Sequence, residues 1–396
     1  MYRATADQHE EPGNSTGAPA RTVAVWDPFV RIFHWALVAA VTVAAVTGLL
    51  ADAPWVDVHV WAGTVMAALV AARLLWGFLG PGSARFGGFV VGPRAVLAHL
   101  RELRAGTAGR HLGHNPLGAV MVLALIAAAA ALAVTGVVAY GGVLKAGPLA
   151  FATAYADGRA VLEVHELLAY GLLALIALHV AGVMFESRRS RENLARAMVN
   201  GRKPARPGDH LPAVRPARPV AAALLALGTL AIAAAGLGAL GARPPLGVPT
   251  TAVDPVYAEE CSACHVAYHP SLLPRASWNA LFDGLGDHFG EDASLDPATT
   301  ARLRAWVLAN AAEAYDTKAA NRLRAVEPSA PFSITETRFW ERTHADIPDA
   351  VFASPAVISK GNCEACHADA RAGRFYPGNI HIPAPASPPA LTETRP

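Results

Sequence analysis

The sequence predicts a mainly α protein: a four-helix bundle in the membrane with a fifth crossing helix, followed by a small, mostly helical and loop-rich water-soluble domain. Three observations carry this. The 396 residues are 53% hydrophobic and only 16% charged, where soluble domains average roughly 25% charged. The apolar excess is gathered into five runs before about Val253, each near the ~20 residues needed to cross a ~30 Å hydrocarbon layer. After Val253 the chain turns polar, with ordinary Trp, Pro and charge content. Such a composition excludes a disordered chain and argues against a wholly soluble one. The net charge is only +2, and Lys and Arg are gathered in loops, a pattern that informs membrane orientation rather than nucleic-acid binding.

The runs extend over about 32–50, 58–79, 116–140, 162–185 and 220–240. Between the second and third lie Arg85, Arg94, Arg101, Arg104 and Arg110. After the fourth come Arg188, Arg189, Arg191, Arg196, Arg202, Lys203, Arg206, Arg215 and Arg218. The connection at 51–57 has two Asp and no basic residue, and that at 141–159 has only Lys145 and Arg159. Positive charge stays inside, so the N-terminus and both basic loops are expected in the cytoplasm, and five crossings deliver the C-terminal domain to the periplasm of a bacterial inner membrane. The expected parts are a polar N-terminus 1–24, a four-helix membrane domain 25–204, a basic linker 205–218, a fifth helix 219–241 and a soluble domain 253–396. The first 22 residues lack the order of a cleavable signal, which makes the first crossing an uncleaved anchor. The fifth run resembles an embedded signal peptide, but its ~21 apolar residues exceed the usual ~7–15, so it reads as a retained anchor.

All four cysteines fall into two copies of one pattern, Cys261-Ser262-Ala263-Cys264-His265 and Cys363-Glu364-Ala365-Cys366-His367. A disulfide pair, a zinc site or a redox dithiol would use cysteines at similar spacing. Two copies that consume every cysteine and end in histidine read instead as covalent haem c attachment. The thiols bond the haem vinyl groups, and the histidine ligates the iron. Such attachment takes place outside the cytoplasmic membrane, in agreement with the charge argument.

Metal-binding side chains at membrane depth are functional hypotheses by default. His34 lies near the start of the first run, His59 at the start of the second, and His165 and His179 lie 14 residues apart on the fourth. That spacing is roughly 21 Å of helix and returns to within roughly 40° of one face. By depth, His34 pairs with His179 near the cytoplasmic side and His59 with His165 near the periplasmic side. This is the arrangement expected for two bis-histidine haems b in a bundle core; the alternative is a set of interfacial histidines bonded to backbone. His111 and His114, in a basic loop, are expected to be solvated.

Residues 25–204 resemble the bacterial di-haem b-type cytochromes of the b561 kind, which include the membrane subunits of nickel-iron hydrogenases and formate dehydrogenases. The resemblance rests on Val25-Trp26-Asp27-Pro28-Phe29-Val30-Arg31-Ile32-Phe33-His34-Trp35, His59 with Gly63, Arg73 to Phe78 with Ala84-Arg85-Phe86, His114-Asn115-Pro116-Leu117-Gly118, and His165 with His179. It implies two haems b and electron exchange between a membrane quinone and a partner. Arg73 then either pairs with haem propionates or snorkels to the interface.

In the soluble part, Leu303, Trp306, Val307 and Leu308 predict a short amphipathic helix. The last methionine of the chain is Met198, so the sixth ligand of each haem c is a histidine or is missing; the candidates are His269, His288, His344 and His381. This part resembles the di-haem cytochrome c family of small periplasmic electron carriers, on Cys261 to His265, His269 to Pro274 with Trp278, His288 to Leu295, Ile334-Thr335 with Arg338-Phe339-Trp340, His344 to Pro348, and Asn362 to His367. The resemblance implies His288 and His344 as distal ligands. His269 departs from the family pattern and stays an alternative, although it sits only four residues from His265.

The chain thus reads as two haems b in the membrane and two covalently attached haems c outside it. The expected function is transfer of electrons from membrane quinol to a periplasmic cytochrome c or small haem protein. The alternatives are reverse flow from a periplasmic dehydrogenase or hydrogenase to quinone, and a haem-based redox or gas sensor. Bond chemistry is confined to the quinol, and no catalytic side chain, zinc, molybdenum or nucleotide motif is present.

Overall fold

The computed structural model describes residues 22–82, 84–207, 209, 217–250, 252–325 and 331–384. The polar N-terminus through residue 21, Arg215 and the middle of the expected linker lie outside the described residues. In order, the helices are α1 (Pro28–Leu49), α2 (Val56–Leu79), α3 (Phe86–Phe89), α4 (Pro93–Ala105), α5 (Pro116–Val143), α6 (Tyr155–Ser190), α7 (Leu194–Asn200), α8 (Pro219–Gly241), α9 (Pro255–Cys261), α10 (Arg275–Asp283), α11 (Pro297–Ala309), α12 (Lys318–Leu323), α13 (Arg338–Thr343) and α14 (Asp349–Phe352). The strands β1 (Thr22–Ala24) and β2 (Arg202–Pro204) pair antiparallel, Thr22 opposite Pro204. This small ribbon has no counterpart in the sequence expectation.

The helices containing the five expected runs, α1, α2, α5, α6 and α8, are each long and apolar enough to span a membrane. The helix α1 begins at Pro28 because the Asp27 carboxylate accepts hydrogen bonds from the N–H groups of Phe29 and Val30 at 3.0 and 3.2 Å, and proline suits the first helical position. The 36 residues of α6 overrun the apolar segment 162–185 at both ends. Its polar ends stay helical with ion pairs along the helix face, Arg159 to Glu163 and Arg189 to Glu186.

The chain forms two compact units. One comprises Met1–Trp35, Ala72–Leu125 and Leu175–Ala223, and holds both arginine-rich loops. They are tied together at Glu192, whose side chain is almost wholly buried and receives Arg110, Lys203 at 3.9 Å and Arg206 at 3.5 Å. The other comprises Ala36–Ala71, Ile126–Ala174 and Leu224–Pro396, and includes the whole C-terminal domain. The core of that domain gathers Tyr257, Trp278, Phe282, Leu303 and Val307. The expected amphipathic helix is α11, capped by Asp296 on the N–H groups of Ala298 and Thr299, with Leu303 and Val307 fully buried. A smaller cluster joins Leu272 to Ala319 and Leu323.

Candidate functional site

In the second unit the structure brings His59 and His165 face to edge, with ring centroids 6.2 Å apart and planes at 78°. Each ring is held by its outer nitrogen. Nδ1 of His59 lies 2.9 Å from the Ala44 carbonyl of α1, which can only accept, so this nitrogen carries the proton and Nε2 is left with a free lone pair. Nδ1 of His165 lies 3.0 Å from the Thr135 hydroxyl of α5. Glycine makes room for both rings: a Cβ at Gly48 would meet the His59 ring at 2.7 Å, and one at Gly136 the His165 ring at 3.2 Å.

The first unit contains His34 on α1 and His179 on α6. Nδ1 of His34 is buried and has no hydrogen-bond partner among the described residues. Arg73 is 3% exposed, so it does not snorkel. Its Nη2 donates to the Ala84 carbonyl at 3.1 Å, its guanidinium lies 5.1 Å from the centre of the Phe86 ring, and its Nη1 is buried without a partner. A buried cation with one donor nitrogen free, near the Asp27 carboxylate, has room for a further anionic group. His111 is exposed as expected. His114 is not solvated: its ring lies 4.7 Å from both Trp26 and Phe89, and burial, with Arg73 and Lys203 nearby, pushes its pKa down to about 4.

In the C-terminal domain, His265 and His288 stand with ring centroids 6.2 Å apart, and His344 and His367 stand 6.1 Å apart. Nδ1 of His265 lies 3.0 Å from the Val266 carbonyl, and Nδ1 of His344 lies 2.8 Å from the Trp340 carbonyl. Trp340 also stacks on His344, at 4.4 Å and 21°. All four cysteines are free, Cys264 exposed and the others half-buried. His269 is 2% exposed, and its Nδ1 accepts from the Ser271 N–H at 3.1 Å. It caps a turn beside Tyr315, and burial pushes its pKa down to about 4. His381 is exposed. Sequence reasoning left the partner of each Cys-x-x-Cys-His histidine open. The fold puts His288 beside the first and His344 beside the second.

Paired histidines in a membrane helical bundle, joined to a domain with two Cys-x-x-Cys-His motifs, define a membrane-bound cytochrome. Residues 25–201 match the family model for prokaryotic cytochrome b561, and residues 257–375 that for dihaem cytochrome c. The C-terminal stretch belongs to the dihaem cytochrome c family, and residues 25–201 are similar to prokaryotic cytochrome b561. Among solved structures, it is 34% identical to a diheme cytochrome type c from Shewanella baltica OS155, covering 32% of this chain and 91% of that one with a TM-score of 0.26. Two structures of diheme cytochrome c from Rhodobacter sphaeroides are 38% and 39% identical, covering 31% and 32% of this chain and 97% and 98% of theirs, with TM-scores of 0.24 and 0.28. Sequence identity and the family models, rather than these superpositions, carry the assignment. No curated protein matches the chain.

Proposed function

We propose that this protein is a membrane-bound tetrahaem electron carrier that oxidises membrane quinol and delivers the electrons to a soluble periplasmic cytochrome c or small haem protein. The observation that carries this reading is one spacing repeated three times: ring centroids 6.2, 6.2 and 6.1 Å apart. An iron held between two imidazole nitrogens at about 2 Å each sets the ring centroids about 6 Å apart.

On this reading His59 with His165 holds one haem b, and His34 with His179 holds the other, with Arg73 facing its propionates. Cys261, Cys264 and His265 attach one haem c with His288 as distal ligand. Cys363, Cys366 and His367 attach the second with His344 as distal ligand. When bound, each haem supplies a reversible Fe(III)/Fe(II) couple. The hydrogen bonds to Nδ1 of His59, His165, His265 and His344 fix ring orientation before any ligand arrives, and two ligands per iron support electron transfer over gas sensing. The arginine-rich loops favour a cytoplasmic face for themselves and, after five crossings, a periplasmic face for both Cys-x-x-Cys-His motifs. The balance is one quinol giving two electrons and two protons, with each electron reducing one ferric acceptor.

Rapid mixing tests the reading. Quinol added to the oxidised protein is expected to reduce the b-type bands first and the c-type bands after them, and His34→Ala or His165→Ala to abolish the second phase. If quinol leaves the c-type bands oxidised while a soluble reductant fills them and then the b-type bands, flow runs toward quinone.

A further inference from the structure

We infer that the His344–His367 centre, although last in the sequence, is the one electrons enter from the membrane helices, and that the His265–His288 centre is the outlet to the soluble acceptor. This rests on the ligand assignment just proposed, and three observations within the second unit support it.

First, the segment that follows His367 lies on the end of α2 that carries His59. The Tyr376 hydroxyl donates to Asp57 at 2.6 Å, two residues before His59, and lies 3.4 Å from the Tyr140 hydroxyl of α5. Phe375, the residue before it, has its ring centre 5.1 Å from that of His367. Asp369 braces the loop by accepting from the Tyr376 N–H and the Asn379 amide, both at 2.9 Å. Gly378 packs closely here, and a Cβ in its place would press on the Asp57 carboxylate. A short path of bonded and touching groups therefore runs from His59 through Asp57, Tyr376 and Phe375 to His367.

Second, an ion pair beside this path clamps the domain to the bundle. The Lys145 ammonium, 5% exposed, donates to Asp316 at 2.7 Å and to the Thr153 carbonyl at 3.0 Å. Asp316 also accepts from the N–H of Tyr155, the first residue of α6, at 2.7 Å and from Asn321 at 3.0 Å. A cavity of about 230 Å³ opens next to it, lined by Lys145, Lys318, Arg374, Phe375 and Tyr376 among others. Three cations around a cavity that adjoins the His367 neighbour Phe375 suit the two propionates of the group held there.

Third, the other centre faces away. Phe289, next to His288, is 72% exposed at a φ of +56°. Among the described residues, no hydrogen bond or ion pair joins 254–312 to the bundle segments 36–71 and 126–174, whereas the contacts of Asp316 and Tyr376 join the rest of the domain to them.

The test uses the full-length holoprotein and two single-centre variants, Cys363→Ser with Cys366→Ser, and Cys261→Ser with Cys264→Ser. Electron paramagnetic resonance of the oxidised proteins comes first. The remaining c-type centre must keep its bis-histidine low-spin signal; its loss in both variants, and in the gentler His288→Met and His344→Met as well, would overturn the ligand assignment rather than the order. With the signal kept, the periplasmic-side haem b signal is expected to saturate at lower microwave power when the 363–367 centre is missing, and to be unchanged when the 261–265 centre is missing. After quinol addition, the variant without the 261–265 centre is expected to keep the wild-type rate of c-type reduction, and the variant without the 363–367 centre to lose that phase. The reverse pattern, or equal effects of the two variants, overturns the order.

Discussion

Asp316→Ala should loosen the C-terminal domain from the bundle without unfolding it, because Asp316 is the carboxylate paired with a buried lysine. The substitution removes the 2.7 Å contact to Lys145, the 2.7 Å acceptor of the Tyr155 N–H and the 3.0 Å contact to Asn321. The ammonium, 5% exposed, keeps only the Thr153 carbonyl. Stranding one partner of a buried pair costs about 3–5 kcal/mol. The Asp316 side chain is itself 29% exposed, so water enters in its place and the lower figure of about 2–3 kcal/mol is appropriate. At about 1.4 kcal/mol per factor of ten, opening of the contact rises roughly 30- to 150-fold. Hydrogen exchange by mass spectrometry on the full chain reads this directly. Protection should fall at Tyr155 and at Leu246, whose N–H bonds the Ala150 carbonyl at 2.8 Å, and stay unchanged in α10 and α11. Lys145→Met combined with Asp316→Leu should recover most of the loss, since no buried charge is then left unpaired. The pH dependence has a definite sign. Burial alone would raise the Asp316 pKa, but the hydrogen bonds from Lys145, Tyr155 and Asn321 outweigh it and hold the carboxyl below its ordinary value. The contact is therefore fully present above the unfolded carboxylate pKa and is lost as pH falls through the folded one. Unchanged protection in Asp316→Ala, or a double variant as loose as the single one, would refute the reasoning.

Other outcomes follow from the same geometry. His59→Ala or His165→Ala should remove one of two b-type haems and leave the c-type content intact, as counted by the pyridine haemochrome spectrum. Arg73→Met should lower haem b occupancy on the His34–His179 side alone, because it deletes the unpartnered Nη1 while keeping the stem that fills the same space; the two b-type signals in electron paramagnetic resonance separate the sites. Gly48→Ala should act on the other side, displacing the His59 ring that its Cβ would meet at 2.7 Å, at a cost of about 1–3 kcal/mol of strain, read as weaker b-type binding. Leu303→Ala, at a fully buried position of α11, should cost about 2–5 kcal/mol, measured as a lower midpoint of thermal unfolding followed at the c-type bands.

What could be read before folding is what a solvent or a covalent bond imposes locally. Hydrocarbon demands about 20 apolar residues per crossing, so the five spans were legible to within a few residues at most ends. The ends of α6 were the exception, because its outer turns are held by ion pairs that hydropathy does not register. The Cys-x-x-Cys-His motifs were legible because thioether chemistry fixes a short spacing. His288 and His344 were legible only through the family resemblance, and which of them stands beside which motif was not, because that pairing is set by tertiary packing. The residues joining the domain to the bundle were invisible for the same reason. Lys145 and Asp316 are 171 residues apart, and Asp57 and Tyr376 are 319 apart. In sequence, Lys145 is one stray cation in a short loop and counts only toward topology. His114 misled because the basic loop around it suggested water, whereas Trp26 and Phe89 close over it.

A clamped domain changes what the fusion accomplishes. A tether alone raises the effective concentration of one partner near the other but leaves each encounter to diffusion. Here the link from α8 ends in contacts with defined geometry: Leu246 bonded to Ala150, Asp316 seated on the start of α6, and Tyr376 on the start of α2. Two residues in the clamp, Lys145 and Phe375, hold φ near +53°, a conformation that non-glycine residues keep only where surrounding contacts overdetermine it. On the proposed reading, such contacts would make the membrane-to-domain step one of fixed distance, independent of viscosity and ionic strength. On the same reading, diffusion and salt dependence would be left to the encounter with the proposed soluble acceptor. Salt should therefore slow acceptor reduction while leaving the internal b-to-c phase unchanged; a salt-sensitive internal phase would mean that the domain swings between two positions rather than resting on the bundle.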